Sequence, residues 1–231
     1  MNPLNLKSLY KIFSTNPEGQ WIMVPENAQQ LYQFVKKHSI KRVLDLGTGI
    51  GCSAAVVSLA LKEKGEEYHI DGLEQYDKCI KIAESLIPEE LRTNLKIHQS
   101  NPKTWQTEKI PHQTFSVYET VPDLEYDLIV NDGPSPFMEG EHYIDLPNGT
   151  ITKMLLEGKI KPGAFVIWDG RIQALKVLER FFSDNFYAVE PDRRTDLNIL
   201  ERKNNEPKFG DVSLENMKFN SSYFKGRDEI K

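Results

Sequence analysis

Three glycines and two carboxylates carry the first chemistry in this sequence. The stretch "VLDLGTGIGCS" (residues 43–53) ends an apolar, β-branched run in Gly47, Gly49 and Gly51, and an alanine-rich helical pattern follows. A strand, a glycine turn and a helix N-terminus form a ligand cradle, because backbone N–H groups converge there and glycine lets a ligand approach the chain. The dinucleotide fingerprint G-x-G-x-x-G would need glycine where Cys52 stands. The triphosphate loop needs G-x-x-x-x-G-K-[ST], yet no lysine or arginine occurs between residues 43 and 61. Asp45, two residues ahead of Gly47, repels a phosphate and attracts a cation. Glu74 closes the next apolar run 25 residues after Gly49, about where an acid takes a ribose diol in nucleotide-binding α/β folds.

An ammonium group and a ribose without phosphate describe S-adenosyl-L-methionine. The elements that must position these residues are strands alternating with helices: "RVLDL", "YHIDGLE", "NLKIHQS", "YDLIVND" and "GAFVIWD", separated by helical patterns such as "SAAVVSLALKEKG", "DKCIKIAESL", "GTITKMLLEGKI" and "QALKVLERFFSD". "FYAVEP" and "LNILERK" then follow one another across a polar turn at residues 192–196, as a hairpin does. The expected fold is α/β: a seven-stranded, mostly parallel sheet with an antiparallel last strand and helices on both faces. Residues 1–40 read as a helical cap segment, 41–205 as the nucleotide-binding-type domain, and 206–231 as a tail docked through Phe219, Tyr223 and Phe224.

Residues 42–202 resemble the class I S-adenosylmethionine-dependent methyltransferases. The resemblance lies in "VLDLGTGIG", "GLEQ", "HQSNP", "YDLIVNDGP", "LLEGKIKPGAFVIWD" and the final hairpin. It implies Asp45 near the methionine ammonium, with Gly47, Thr48, Gly49, Gly51 and Ser53 around the methionine and ribose. It implies Glu74 on the ribose hydroxyls, Gln75 and Tyr76 flanking the adenine, and Asn101, where an aspartate is usual, at the adenine amine. An Asn-Pro pair such as Asn101-Pro102 is also an ordinary turn starter.

Asp132 and Asp169 close the strands where an acceptor would sit. Methyl transfer from a sulfonium is an in-line displacement, so a protein must align donor and acceptor and take a proton from a hydroxyl acceptor. Candidates for that end are Asp132, Asp169, His142 in the loop 134–148, and Arg171. Asp132 and Asp169 also match the two aspartates that hold a divalent ion in the catechol-type O-methyltransferases. However, the sequence has Asp169-Gly170 where that subgroup has Asp-Asn, and two carboxylates coordinate Mg²⁺ poorly. A metal is therefore the weaker alternative. "NDGPSPFMEGEHYIDL" and "WDGRIQALKVLERF" look more like metal-free small-molecule methyltransferases, in which Arg171 would bind an anionic or sugar-like group. As plain structure, Asp169 would cap the helix that follows and His142 would be a surface polar group. Trp21, Met23, Trp105, Phe115 and Tyr118 are packing residues that could also wall an apolar acceptor. His38, His69, His98 and His112 show no partner pattern.

With 34 acidic and 29 basic side chains, the net charge of −5 disfavours nucleic acid. No stretch approaches the roughly 18 apolar residues of a membrane span. Cys52 and Cys79 offer neither a disulfide framework nor a zinc spacing, which suggests reduced thiols in the cytoplasm. The expectation is an enzyme that moves a methyl group to an oxygen, less readily a nitrogen, of a small molecule; a homodimer is left open. The alternatives are an aminopropyltransferase of the spermidine synthase type, which would carry an N-terminal β-hairpin domain, and a catalytically inactive cofactor-binding partner subunit.

Overall fold

The computed structural model describes residues 4–170, 172–189 and 197–207. The chain opens with α1 (Leu6–Ser14), a 3₁₀ turn (Pro17–Trp21) and α2 (Pro25–Lys37). Next come β1 (Arg42–Leu46), α3 (Cys52–Lys64), β2 (His69–Glu74), α4 (Asp77–Leu86), α5 (Glu89–Arg92) and β3 (Leu95–Gln99). The middle holds β4 (Pro102–Thr107), β5 (Ile110–Tyr118), β6 (Leu128–Asn131), β7 (Phe137–Glu139) and β8 (His142–Ile144). It closes with α6 (Thr150–Leu156), β9 (Phe165–Asp169), α7 (Ile172–Phe182), a 3₁₀ turn (Ser183–Asn185), β10 (Phe186–Val189) and β11 (Leu197–Arg202).

Seven strands form one sheet in the order β10-β11-β9-β6-β1-β2-β3. β1, β2, β3, β6 and β9 run parallel to one another, and β11 lies antiparallel to both β9 and β10. The expected antiparallel last strand is present; the turn 192–196 and the tail beyond residue 207 lie outside the described residues.

Alternation along each strand sends side chains to two cores. Val43, Ile70, Leu128, Val130 and Ile167 meet α1, α2 and α3 on one face. Leu44, Leu46, Leu73, Ile129 and Trp168 meet α6 and α7 on the other. Every residue of α3 from Ala54 to Leu61 is buried, as an apolar helix needs when the sheet and α1, α2 and α5 surround it. The N-terminal segment belongs to this packing: Leu9, Phe13, Leu31 and Val35 share the core of the central strands.

Two stretches without expected structure are hairpins. Residues 102–118 form the antiparallel pair β4–β5, whose Ile110, Phe115 and Val117 fill the second core where a crossover helix would otherwise lie. The loop 134–148 contains the short pair β7–β8. Three of the unassigned histidines also find their places. His69 and His98 lie with ring nitrogens 3.0 and 2.7 Å from buried Asp71, which also accepts the Tyr126 hydroxyl at 3.0 Å. His38 stacks on Phe34, with centroids 4.2 Å apart. No helix among the described residues is long and apolar enough to cross a membrane.

Candidate active site

β1 ends at Leu46, and the chain turns through Gly47 with φ +87°, a conformation that side chains rarely adopt. A Cβ on Gly47 would lie 2.6 Å from the Gly133 nitrogen and 2.7 Å from the Asp132 carbonyl carbon. The loops after β1 and β6 thus touch backbone to backbone, which only glycine allows. The Leu73 carbonyl accepts both Gly47 N–H and Thr48 N–H, at 3.0 and 3.1 Å, which ties the glycine turn to β2.

Asp45 sits beneath this turn at 1% exposure. Ser53 Oγ donates to its Oδ2 at 2.7 Å, while Oδ1 is buried with no hydrogen-bond partner. Burial pushes its pKa from 3.8 up to about 7; the Ser53 hydrogen bond pulls it down, and the Glu74 charge adds to the rise. An unpaired buried carboxylate oxygen is costly unless a donor or cation meets it.

Glu74 is held differently. Its Oε2 accepts Gly49 N–H at 2.8 Å, and its Oε1 accepts Gln75 N–H and Tyr76 N–H, both at 2.9 Å. Three backbone donors fix this carboxylate at the end of β2. Gln75 Oε1 accepts Ser135 N–H at 3.1 Å, and the Tyr76 hydroxyl donates to the Pro136 carbonyl at 3.3 Å. The end of β2 is therefore fastened to the loop after β6.

The glycine turn, Ser53 and the end of β2 line a cavity of about 800 Å³, within the range of small-molecule sites, and Asp45 lies behind this lining, buried under the turn. Its walls include Gly47, Thr48, Gly49, Ser53, Glu74, Gln75 and Tyr76, together with Asp132, whose backbone meets Gly47, and Asp169. Asp132 and Asp169 come together because β6 and β9 pair in parallel with Asn131 opposite Trp168, so that Asp132, just after β6, and Asp169, the last residue of β9, take the next position on each strand. Asn27 Nδ2 donates to Asp169 Oδ1 at 2.8 Å. Cys52 also lines the cavity; burial, with the charges of Asp45 and Asp169, pushes its thiol up to about 12.

The remaining sequence candidates are more scattered. Gly51 (φ +93°) caps α3 and packs against Ile87 and Ala83. Asn101 is exposed and outside the cavity wall, with its carbonyl accepting Glu119 N–H at 2.9 Å. His142 is exposed at the start of β8, and its neighbour Tyr143 is the one that reaches the wall. Arg171 lies outside the described residues. Trp105 packs on Phe115, with centroids 5.6 Å apart, whereas Trp21, Met23 and Tyr118 line the cavity. Among the described residues no three His, Cys, Asp or Glu side chains gather that could hold a metal ion.

Sequence reasoning missed Asn27, Glu18 and Lys78. Glu18 and Lys78 form an ion pair between the first 3₁₀ turn and α4, and both line the cavity. Asn27 had a signal: it falls on the stripe of α2 that carries Leu31 and Phe34, and a polar residue on a buried stripe needs a partner.

The family model for protein-L-isoaspartate(D-aspartate) O-methyltransferases matches residues 11–131, a little over half of the chain. The chain belongs to this family. The match runs from α1 through β6 and takes in the glycine turn, Asp45 and Glu74, so the family's nucleotide-type half is the part shared. Membership in a methyltransferase family displaces the aminopropyltransferase alternative, and the N-terminal segment is helical rather than a β-hairpin. No curated protein matches the chain in sequence. Among solved structures, it is similar to the SAH-bound methyltransferase PaMTH1 of Podospora anserina, at 13% identity and TM-score 0.59, covering 87% of this chain and 88% of that one. It is also similar to the O-methyltransferase TomG of Streptomyces achromogenes, in complex with SAM, at 13% identity and TM-score 0.57, covering 84% and 89%. The SAH complex of the Bacillus cereus O-methyltransferase aligns at 14% identity and TM-score 0.51, covering 88% and 93%. Likeness at such low identity shows the class I methyltransferase fold.

Proposed function

We propose that this protein transfers a methyl group from S-adenosylmethionine to an oxygen, less readily a nitrogen, of a small molecule. The observation that carries the cofactor reading is the buried, unpartnered Oδ1 of Asp45 behind a phosphate-averse glycine turn. That donor set fits an ammonium: one oxygen is held by Ser53 and the other is free to pair with a cation. Bound there, S-adenosylmethionine would supply a methyl group made electrophilic by its sulfonium sulfur. Asp45 would anchor the ammonium, the Gly47–Gly51 backbone would lie along the methionine and ribose, and Glu74 would present its carboxylate to the ribose hydroxyls. Gln75 and Tyr76 would bound the base.

At the ends of β6 and β9, Asp132 and Asp169 would orient the acceptor hydroxyl, and one of them would take its proton as the methyl carbon–sulfur bond breaks and the carbon–oxygen bond forms. The family description names a protein isoaspartate, whose accepting oxygen belongs to a carboxylate. Asp132, Asp169, Glu74 and Glu18 along the described walls oppose an anion, and Lys78 is already paired with Glu18. A neutral hydroxyl suits these walls better. Cys52 and Cys79 are free thiols, which supports a reducing, cytoplasmic setting.

The test is transfer of radiolabelled methyl from S-adenosylmethionine to a panel of hydroxylated aromatics headed by catechol, alongside an isoaspartyl peptide. Labelling of a panel member supports the reading. Labelling of the peptide alone replaces it with the family's named substrate. No labelling with intact cofactor binding leaves the inactive partner subunit.

A further inference from the structure

We propose that Asn27 is a positioning residue for Asp169, so that α2 completes the acceptor half of the site; this rests on the methyl-transfer reading above. Asn27 is 2% exposed and lies in the first turn of α2, on the stripe that otherwise carries Ala28, Leu31, Phe34 and Val35. An apolar residue would pack there without needing a partner. A buried amide must be hydrogen-bonded, and its Nδ2 donates at 2.8 Å to the Oδ1 of a carboxylate on the cavity wall 142 residues away.

The direction of that bond matters. An amide nitrogen only donates, so it favours the ionised form of Asp169 and restricts the rotation of its carboxyl group. Asn27 thus fixes one oxygen of a carboxylate that lines the cavity, and a carboxylate held in one orientation can align a hydroxyl.

The donor is also rigidly mounted. α2 packs on α3 through Leu31 and Val35, and the Tyr10 hydroxyl on α1 donates to the Met23 carbonyl at 2.9 Å, just before α2 begins. Around the pair stand Tyr10 on α1, whose ionisation is opposed first by burial and then by Cys52, Glu26 and Asp169, and Cys52 on α3, opposed by burial and then by Asp45 and Asp169; Asp132, after β6, lines the same cavity. The N-terminal segment therefore supplies a working part of the site.

The test compares wild type with Asn27→Ala, Asn27→Asp and the exchange variant Asn27→Asp/Asp169→Asn, all loaded with S-adenosylhomocysteine. Carbon-13 NMR of labelled aspartate carboxyls, with Asp169 assigned by Asp169→Asn, reads the Asp169 titration midpoint without turnover. The midpoint should rise by about one pH unit in Asn27→Ala and further in Asn27→Asp, where a second carboxylate faces the first. With catechol as acceptor, kcat should fall about tenfold or more in both, the acid limb of its pH profile should move with the midpoint, and cofactor affinity should stay within about twofold. The exchange variant rebuilds the hydrogen bond with the charge moved to α2. It should recover thermal stability but not transfer, an outcome that a purely structural role would not produce.

An unchanged Asp169 midpoint in Asn27→Ala overturns the inference, as does an exchange variant that transfers methyl like wild type. Failure of the underlying function would instead appear in the wild type, as absent cofactor binding or absent transfer, while the midpoint still decides whether Asn27 holds Asp169.

Discussion

Titrating Asp45 tests the cofactor end of the site in depth. Its pKa of about 7 in the ligand-free protein means that the carboxylate is only half ionised near neutrality. A ligand ammonium pairing with Oδ1 requires the ionised form, so binding must release a proton whenever Asp45 is protonated. Relative to about pH 8, affinity for S-adenosylhomocysteine should fall roughly tenfold at about pH 6 and roughly 100-fold at about pH 5. The stability sign runs the other way. A carboxyl whose folded pKa is raised stabilises the fold below its unfolded value of 3.8, and that contribution is lost as pH rises towards about 7. Ligand-free protein should therefore lose about 4 kcal/mol from this group across that window, and the ligand should restore more of it at higher pH. Isothermal titration in buffers of different ionisation enthalpy, between about pH 5 and about pH 8, reads both affinity and proton release. Asp45→Asn should flatten the pH dependence, weaken binding at the upper pH about 10- to 100-fold through the lost charged hydrogen bond, and make the ligand-free protein more stable there. Wild-type affinity that stays flat across this range would refute the reasoning.

Other perturbations address the frame of the site. Gly47→Ala should abolish detectable cofactor binding in calorimetry and destabilise by about 2 kcal/mol or more in urea unfolding, because φ is +87° and the added Cβ meets the Gly133 backbone. Asp71→Ala should cost about 2–4 kcal/mol in the same assay, since the Tyr126 hydroxyl, on a residue at 0% exposure, loses its acceptor along with His69 and His98; cofactor affinity in the folded protein should be unchanged. Trp21→Ala removes a side chain that is 78% exposed at the cavity wall, so stability should move by less than about 0.5 kcal/mol while the acceptor KM rises. Cys52, with its thiol pushed up to about 12, should resist iodoacetamide at pH 8 until the protein is unfolded, as read by mass spectrometry.

Local pattern was enough for what lies within one strand-turn-helix unit. The alternation of apolar runs with helical stripes specified the parallel sheet, and the acids before and after the glycine turn marked a site suited to an ammonium and a ribose. These features depend on neighbours in the chain and on periodicity, which a sequence displays directly. Other features depend on which distant segments meet. The stretch 102–123 has its own apolar alternation, yet only packing against Tyr126 and α6 shows that a hairpin fills the place of a helix. His142 and Asn101 looked suitable by type and position, but both are exposed and neither is part of the cavity wall. The backbone contact between Gly47 and Gly133, the unpaired oxygen of Asp45 and the grip of Asn27 on Asp169 exist only once the sheet has closed and the first two helices have packed on α3. Sequence alone determined the strand, the glycine turn and the acids on either side of it, because charge and backbone freedom are local properties. Tertiary structure decided which side chains line the cavity, because burial and partnership belong to segments far apart in the chain.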